Sequence, residues 1–558
     1  MDLNQALDFK RLLSPGAMFG RAGKFADRFG DEAYFAVLCI RSGMVGLDPP
    51  HRVAQLVRGF ERFGLLGGAI TAAALRHGDR NAVIDERGEL TYKQLDERSN
   101  ALANAWRHRG LEPGEGVAIL ARNHRGFLES VFAAAKCGAR VILMNTSFAG
   151  PQLREVATRE GTDLLVYDDE YAEILEGVEP PRGRWRAWID DGGAPLGSLD
   201  ALIAGASRAA PPKPGVGPRV TILTSGTTGT PKGAPRGEPR SLALLGGLLS
   251  KVPFRARETT ELCAPMFHAL GFAQALVGIG LGSTLVVRRR FSPEATVDSV
   301  ARHRASAMVV VPVMLRRIVD LGEAAIAGHD TSSLRIIFVS GSALGADLAA
   351  QATRIFGPVI YNLYGSTEVA YATIATPEDL AADLRTVGKV VRGSVVKILG
   401  EDGAELPRGQ SGRIFVGNLS QFEGYTGGGG KEAVRGLMSS GDVGHFDVHD
   451  RLFIDGRDDE MIVSGGENVF PAEVEDLLAR HQAIQEAAAI GVDDEQFGQR
   501  LKAFVVLRAG ENLSPDDVKR YVKENLASYK VPREVLFVDE LPRNSTGKIL
   551  KRELVQQH

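Results

Sequence analysis

From about residue 90 to residue 455 the sequence alternates between short aliphatic runs and patterns typical of helices. The clearest aliphatic runs lie at residues 117–120, 164–167, 220–223 and 336–339. Such runs, when they alternate with helical patterns, are typical of α/β layers built on a largely parallel sheet. The sequence therefore predicts the α/β class, with a large N-terminal domain of layered α/β subdomains.

The pattern changes after residue 389, where short strands at 395–399 and 412–417 are separated by turn residues. These predict a small β-barrel-like part of the large domain. From about residue 459 we expect a compact α+β unit. It would contain a helix at 472–480, strands near 487–492 and 503–507, and a second helix that begins at Ser514 with a capping residue, a proline and two acids.

Length and charge exclude several classes of protein. The chain has 558 residues, enough for about two to four domains. Its 66 basic and 69 acidic residues nearly cancel, so nucleic acid is not an expected partner. The cysteines Cys39, Cys137 and Cys263 lie far apart and form no CxxC pair, which predicts neither a disulfide framework nor a zinc site.

Two further segments indicate where in the cell the protein is expected. The first residues carry an early acid and lack the apolar core of a signal peptide, so we expect a cytoplasmic protein. Residues 269–287 are uncharged over 19 positions, but glycines and polar residues dilute their hydrophobicity. We interpret them as a buried helix followed by a strand at 283–287, and not as a membrane span.

The first 70 or so residues stand apart from this pattern. Val53, Leu56, Val57, Phe60 and Phe63 fall at helical spacing. This stripe has two interpretations, a helix that binds the inner face of the membrane or a partner, and a helix packed on its own domain. We favour the second, and the role of residues 1–70 stays open.

The strongest chemical signal follows the aliphatic run at 220–223, where residues 223–233 read LTSGTTGTPKG. Hydroxyl and glycine N–H groups donate hydrogen bonds to anionic oxygens, and a lysine adds positive charge. We therefore expect a phosphate-binding loop. The predicted ATP-binding residues in it are Thr224, Ser225, Gly226, Thr227, Thr228, Gly229 and Lys232. Because Gly233 follows the lysine where a Walker A loop has serine or threonine, an ordinary P-loop nucleotidase is not expected.

Seven further motif-like segments follow this loop along the chain. They are APMFH at 264–268, VSGSAL at 339–344, YNLYGSTE at 361–368, SGD at 440–442, GRDDEMI at 456–462, GGENVFP at 465–471 and PRNSTGK at 542–548. Together they resemble the motifs of the adenylate-forming superfamily, over roughly residues 90–554. Within it, the chain is most similar to bacterial fatty-acyl-CoA synthetases.

The resemblance implies a ligase that activates a carboxylic acid with MgATP to an acyl-adenylate and pyrophosphate, and then transfers the acyl group to coenzyme A. ATP, Mg²⁺ and coenzyme A are the implied cofactor and co-substrates. The small apolar residues at 269–273 and 342–345 suit an alkyl tunnel. A fatty acid of medium to long chain is therefore the predicted substrate, and the oligomeric state stays open.

The resemblance also implies a role for each matching residue. Lys548 would be the main catalytic residue, an ammonium that bridges the carboxylate and the α-phosphate, with His268 near the acyl pocket and Thr367 on the phosphates. Glu368 and Thr224 would hold Mg²⁺. The remaining nucleotide contacts would come from Gly341, Ser342, Ala343, Tyr364 (stacked on adenine), Gly365, Ser366, Asp442 (on the ribose hydroxyls) and Arg457.

In such a family the C-terminal domain rotates between the two half-reactions. Asp459 matches the hinge, and Gly465, Gly466 and Glu467 would line the coenzyme A channel. The predicted domains are an N-terminal helical extension (1–70), an AMP-binding domain (71–456), a hinge (457–459) and a mobile C-terminal α+β domain (460–558).

Two other functions remain as alternatives. One is a fatty-acyl-AMP ligase that feeds a carrier protein. Only ten residues follow Lys548 in the sequence, so we expect no fused carrier domain and favour coenzyme A as the acceptor. The other is a catalytically weak protein that binds nucleotide and fatty acid. Whether the product serves degradation or lipid synthesis stays open.

Overall fold

The structure is a computed structural model. It describes residues 30–46, 48–190, 196–224, 232–236, 241–418, 424–426, 428–458, 460, 462–464, 467–494, 498–526, 530–544, 547–551 and 553–554. Side chains at 224, 236, 463–464, 467–468 and 498 are not described.

The helices alternate with strands along most of the chain. The helices are α1 (residues 30–41), α2 (Pro50–His77), α3 (Tyr92–His108), α4 (Arg125–Cys137), α5 (Gly150–Arg159), α6 (Leu199–Ala204), α7 (Ala243–Lys251), α8 (Ala269–Leu281), α9 (Pro293–His303), α10 (Pro312–Val319), α11 (Glu323–Ala327), α12 (Ala346–Phe356), α13 (Pro377–Ala382), α14 (Pro471–Leu478) and α15 (Pro515–Asn525). Short 3₁₀ turns occupy Asp169–Tyr171 and Glu173–Leu175.

The strands form four sheets. They are β1 (Asn81–Asp85), β2 (Gly88–Thr91), β3 (Gly116–Leu120), β4 (Arg140–Leu143), β5 (Thr162–Asp168), β6 (Arg184–Trp188), β7 (Arg219–Thr224), β8 (Lys232–Arg236), β9 (Thr259–Leu262), β10 (Thr284–Val287), β11 (Ala307–Val310), β12 (Ile336–Val339), β13 (Ile360–Ser366), β14 (Ala370–Ala375), β15 (Lys389–Val390), β16 (Ser394–Leu399), β17 (Gly412–Asn418), β18 (Ala433–Val434), β19 (Leu437–Phe446), β20 (Leu452–Arg457), β21 (Ile462–Ser464), β22 (Glu467–Val469), β23 (Ile484–Asp494), β24 (Gly498–Leu507) and β25 (Glu534–Phe537).

Two of the sheets are largely parallel. The nine-stranded sheet has the order β15-β14-β13-β12-β11-β9-β10-β1-β2 and is parallel from β13 to β1. The six-stranded sheet has the order β6-β5-β3-β4-β7-β8, and only β8 is antiparallel to its neighbour. The prediction of layered, largely parallel α/β sheets is therefore confirmed.

The two large sheets share one hydrophobic core, which contains Val83 of β1, Val117 of β3 and Leu285 of β10. Helices α3 and α4 pack there with buried Trp106 and Phe132. All five residues of β3 are buried, as expected of a strand covered on both faces.

The two smaller sheets follow in the chain. Strands β16 to β20 form a five-stranded antiparallel sheet, the part for which a barrel-like sheet was predicted. Strands β21 to β25 form the last sheet, in which only β25 runs parallel to its neighbour. Ser514 caps α15 through the backbone N–H of Asp517, as the sequence predicts.

Helix α2 is bent at Gly64, whose φ of 68° lies in the left-handed region that glycine tolerates. After the bend, Leu66 and Ile70 are buried against the large domain. Before it, Val53, Val57 and Phe60 are 44%, 48% and 37% exposed. The prediction of a helix packed on its own domain therefore holds for Phe63, which is 2% exposed, and for the second half of α2. It does not extend to Val53, Val57 and Phe60, because helical spacing identifies an apolar face without identifying what covers it.

Residues 269–287 form helix α8 and strand β10, which confirms that interpretation. The strand lies inside the nine-stranded sheet between β9 and β1. Within the described part of the chain, no helix combines the length and the hydrophobicity needed to cross a membrane.

Candidate functional site

The site lies in a large cleft that reaches from the C-terminal ends of the parallel strands to the last sheet. The cavity has a volume of about 2720 Å³ and is lined by residues from both the large domain and the C-terminal part. Clefts at the carboxyl ends of parallel strands are the usual ligand sites of α/β proteins. Described residues from most of the motifs, from Lys232 to Lys548, line this cavity.

The predicted phosphate loop connects β7 to β8, which pair antiparallel. Its residues Ser225, Gly226, Thr227, Thr228 and Gly229 lie outside the described residues, as does the side chain of Thr224. Lys232 begins β8, and its ammonium nitrogen lies 5.4 Å from the centre of the Tyr425 ring. This lysine also lines the cavity.

A short segment at 424–426 forms hydrogen bonds with strand β8, which follows the phosphate loop. The N–H of Gly233 donates to Oγ1 of Thr426 at 3.0 Å, and the N–H of Thr426 donates back to the carbonyl of Gly233 at 2.9 Å. The Thr426 hydroxyl in turn donates to Oε1 of Glu160 at 2.7 Å. A side chain at Gly233 has no space, because its Cβ would lie 2.6 Å from the Thr426 hydroxyl and 2.7 Å from the Glu160 carboxylate.

The centre of the site is a hydrogen-bonded triad from two sheets. Tyr364 of β13 donates its hydroxyl to Oδ2 of Asp442 at 2.6 Å, and Arg457 donates to Oδ1 of the same carboxylate at 3.1 Å. Asp442 and Arg457 are direct cross-strand partners of β19 and β20, so the sheet register brings them together. Burial, followed by the negative charge of Asp442, raises the pKa of Tyr364 well above its usual value. Tyr364 is therefore a proton donor that holds this carboxylate in place.

The predicted metal ligand, Glu368, lies just after β13. Ser366 donates its hydroxyl to Oε2 of Glu368 at 2.8 Å, and Tyr425 donates to Oε1 at 2.7 Å. The described residues contain no cluster of three acidic, histidine or cysteine side chains that could hold a metal ion alone. One carboxylate with neighbouring hydroxyls still fits Mg²⁺, which takes few protein ligands and completes its shell with phosphate oxygens and water.

A glycine-containing loop follows β12 and borders the same space. Gly341, Ser342 and Ala343 are exposed to the cavity, and Gly341 has a φ of 102° that favours glycine. Gly365 lies at a bulge in β13 and lines the same cavity. A Cβ there would lie 2.0 Å from the carbonyl oxygen of Ala370, so only glycine fits this close approach.

His268 immediately precedes α8 and lines the cavity. Burial lowers its pKa to about 4, so the imidazole is neutral at neutral pH. Its ring lies 4.4 Å from that of Phe267, which is buried. A neutral imidazole in this place can donate one hydrogen bond and accept another, and it adds no positive charge.

The C-terminal segment brings Lys548 to this cavity. Its backbone N–H donates to Oδ1 of Asn544 at 2.8 Å, which closes a tight loop. Within the loop, Gly547 has a φ of 78°, and a Cβ there would lie 2.1 Å from Cγ1 of Val313 at the start of α10. The absence of a side chain at Gly547 therefore lets the loop dock directly on the large domain.

The residues around the predicted hinge are partly described. Asp459, Gly465 and Gly466 lie outside the described residues, as does the side chain of Glu467. Asp458, one position before the predicted hinge, accepts a hydrogen bond from Arg413 at 2.8 Å and donates its N–H to the carbonyl of Gly441 at 3.0 Å. Thr367 lines the cavity between Ser366 and Glu368.

The structure thus brings together the described members of the predicted set, from Lys232 to Lys548. Three residues outside the motifs also take part: Tyr425 lines the cavity, and Thr426 and Glu160 hold the strand that follows the phosphate loop. Their contacts join positions more than 50 residues apart and carry no local pattern. The roles assigned to the individual residues stay predictions.

Comparison with known proteins agrees with this geometry. Residues 70–426 match the family described as AMP-binding enzyme, and residues 473–548 match its C-terminal domain. A fatty acid–[acyl-carrier-protein] ligase, ScoC of Streptomyces coeruleorubidus, is 31% identical over 490 residues, 85% of this chain and 92% of that protein. An indoleacetate–CoA ligase of Aromatoleum aromaticum is 32% identical over 508 residues, 87% of this chain and 96% of that protein.

The fold agrees as well. The crystal structure of ATP-bound MatB from Rhodopseudomonas palustris superimposes with a TM-score of 0.77 at 26% identity, covering 88% of this chain and 98% of that one. The fold and site define a nucleotide-binding, adenylate-forming ligase of carboxylic acids. The chain belongs to the AMP-binding enzyme family, in the acyl-CoA synthetase branch of the adenylate-forming superfamily. The predicted cofactor and co-substrates, Mg²⁺, ATP and coenzyme A, are those of this ligase family.

Proposed function

We propose that the protein activates a fatty acid of medium to long chain with MgATP, and that it transfers the acyl group from the adenylate to coenzyme A. The observation that supports this most is the composition of the large cavity that contains the motif residues. One end carries the polar triad of Tyr364, Asp442 and Arg457, and the other is lined by the small apolar residues of α8. A nucleotide and an alkyl chain can therefore occupy one continuous space.

We propose the following roles at the polar end. The Asp442 carboxylate, held by Tyr364 and Arg457, accepts the ribose hydroxyls. The ammonium group of Lys548 lies between the acid and the α-phosphate, where it offsets negative charge that comes together in the transition state. Glu368 with Ser366 would hold Mg²⁺, which when bound neutralises phosphate charge.

At the junction with the apolar end, neutral His268 would orient the carboxyl group of the acid by a hydrogen bond. Its lowered pKa keeps it uncharged, so it does not compete with Lys548 for the carboxylate. The Gly341–Ala343 loop would border the adenine and the acyl group with backbone alone.

The test is a product assay on the purified protein with MgATP, coenzyme A and a panel of acids: acetate, octanoate, laurate, palmitate, benzoate and an amino acid. We expect AMP and thioester with octanoate, laurate or palmitate, measured by mass spectrometry, and little with acetate or the amino acid. Preference for benzoate would contradict the fatty-acid assignment and leave the ligase chemistry intact. Turnover of none of the acids would favour a binding protein.

One relative supports a second candidate acceptor, since ScoC is named as a ligase to an acyl carrier protein. If this chain acts in the same way, acyl-adenylate and pyrophosphate would accumulate with coenzyme A, and AMP release would require a phosphopantetheinylated carrier protein. The same assay with each thiol in turn separates the two candidates.

A further inference from the structure

The apolar end of the cavity extends beyond the large domain to the N-terminal helices. Residues of α1, of the segment that follows it and of α2 line the same cavity that contains Lys548 and Asp442. The match to the AMP-binding enzyme family begins at residue 70, so α1 and most of α2 lie before it. This part of the wall therefore belongs to the N-terminal extension.

One face of α8 forms the floor of this region. Ala269, Ala273, Leu276 and Gly280 lie at helical spacing and line the cavity. The opposite face packs on the sheet with residues such as Ala275, which is fully buried. Because a helix rises about 1.5 Å per residue, Gly280 lies about 18 Å along the helix axis from His268, so an extended acyl chain can follow this face.

The facing wall is built from α1 and α2. Ala36, Cys39 and Ile40 contribute from α1, and Leu66 and Ala69 from α2. Every residue named here is apolar, and Ala36 and Ala69 have small side chains.

The channel ends near Met44. A Cβ at Gly280 would lie 3.1 Å from Cε of Met44, so this methionine stands over the last turn of α8. Methionine adapts its shape to irregular apolar surfaces. The charged residues at this end are paired, since Arg76 lies 3.2 Å from the carboxylate of Asp48. An apolar ligand therefore meets few unsatisfied charges.

The N-terminal wall is fixed to the large domain. Glu32 of α1 accepts hydrogen bonds from the Ser241 hydroxyl and, at 3.1 Å, from the N–H of Leu242. The N–H of Ala256 donates to the carbonyl of Ser42 at 2.7 Å. Phe35 packs on α7 so closely that a Cβ at Gly246 would lie 2.3 Å from its ring. Contacts of this kind define the width of the channel.

We propose that α1 and α2 form the distal wall of the acyl-binding channel and set the longest chain that the enzyme accepts. The occupant is the methyl-terminal part of the fatty acyl chain, whose carboxyl end lies near His268. This inference rests on the proposed function, since it requires a fatty acid in the cavity. It adds that residues before the AMP-binding family match determine specificity.

A pair of substitutions on α2 tests the proposal. Ala69→Trp places a large ring in the channel, whereas Ala54→Trp places the same ring at an exposed position of the same helix that does not line the cavity. We expect Ala69→Trp to lower kcat/KM for palmitate by about tenfold or more, the loss that follows when two or more methylenes are excluded from an apolar site. In the Ala54→Trp enzyme, the ratio of kcat/KM for palmitate to kcat/KM for octanoate should equal that of the wild type.

A crosslinking experiment tests the geometry without a substitution. The wild-type enzyme with MgATP and palmitic acid that carries a diazirine at its methyl end is irradiated, and modified peptides are mapped by mass spectrometry. We expect adducts on peptides that contain residues 36–44 or 65–73. Adducts confined to other elements, or an unchanged palmitate-to-octanoate ratio in Ala69→Trp, would overturn the proposal.

The failure of the proposed function has a different signature. In that case the wild-type enzyme turns over no fatty acid of any length, and both proposals fall. If the wild type uses palmitate and either experiment gives the contrary result, only the role of the N-terminal helices is wrong.

Discussion

The two ends of the cavity are built in different ways. At the nucleotide end, a few polar side chains from separate sheets meet in a hydrogen-bonded network, centred on Asp442. At the acyl end, the cavity wall consists mainly of apolar side chains from helices α1, α2 and α8. Polar chemistry demands particular residue types at particular places, whereas an apolar wall demands only volume and shape.

This difference predicts opposite effects of substitution. A change at the nucleotide end should affect all acids alike, because every acid passes through the same adenylate. A change at the acyl end should affect acids according to their length.

The largest effect is expected for Lys548→Ala. Loss of the ammonium group should lower the rate of adenylate formation by about 10²–10³-fold for every acid, the usual result of removing one preorganised charge-stabilising group. Transfer from a supplied acyl-adenylate to coenzyme A should be nearly unchanged. The measurement is single-turnover kinetics of each half-reaction, with Lys523→Ala on the exposed face of α15 as the control. Equal loss in both half-reactions would refute this role for Lys548.

Asp442→Asn should have the next largest effect. The amide keeps the shape of the carboxylate but loses the charge that pairs with Arg457, as well as the proposed ribose acceptor. We expect kcat/KM for ATP to fall by about 10–100-fold, in line with the loss of one or two charge-assisted hydrogen bonds. The ratio of activities with octanoate and palmitate should stay constant.

The matched control is Asp450→Asn, at an exposed turn where the carboxylate pairs with Arg408. It should leave the kinetics with ATP unchanged. A change in the ratio of activities with octanoate and palmitate in Asp442→Asn would contradict this expectation, because it would show that the two ends of the cavity are coupled.

Ala273→Trp should show the reverse pattern. Ala273 lies midway along the α8 face and is exposed to the cavity. An indole ring there should lower kcat/KM for palmitate about tenfold, as expected for the exclusion of a few methylenes. The KM for ATP should not change, which steady-state kinetics with both substrates would check. A raised KM for ATP would place this residue outside the acyl channel.

The same contrast explains what the sequence could predict. The motif residues Tyr364, Asp442 and Lys548 were all expected at the site, because their order along the chain resembles a family in which chemistry constrains each one. Local sequence patterns also predicted helix positions correctly. The cap at Ser514 placed the start of α15, and the helix expected at 472–480 is Pro471–Leu478.

The missed features depend on contacts between distant parts of the chain. Tyr425 and Thr426 lie in a glycine-rich segment without a pattern, and only the fold brings them to Glu368 and Glu160. The apolar stripe of α2 predicted a helix correctly. The spacing of its residues could not indicate that Val53 and Val57 stay exposed while later residues line a cavity.

The smallest expected effect concerns stability at the acyl end. His77 is the last residue of α2 and is 4% exposed. Burial, followed by the nearby charges of Arg76, Arg257 and Arg80, lowers its pKa to about 4. An unperturbed histidine has a pKa of about 6.5, so between these values the unfolded chain binds a proton that the folded chain does not. The free energy of unfolding should therefore fall as the pH falls through this range.

Linkage gives the size of this contribution as about 1 kcal/mol between pH 6.5 and 5.5. His77→Gln should remove it, so the variant should lose less stability than the wild type over the same interval in urea denaturation. His108→Gln, at an exposed position of α3, is the control. An unchanged pH dependence in His77→Gln would mean that water reaches this end of α2. The close contact between His77 and Gly282 would then not exclude water from the region beside the acyl channel.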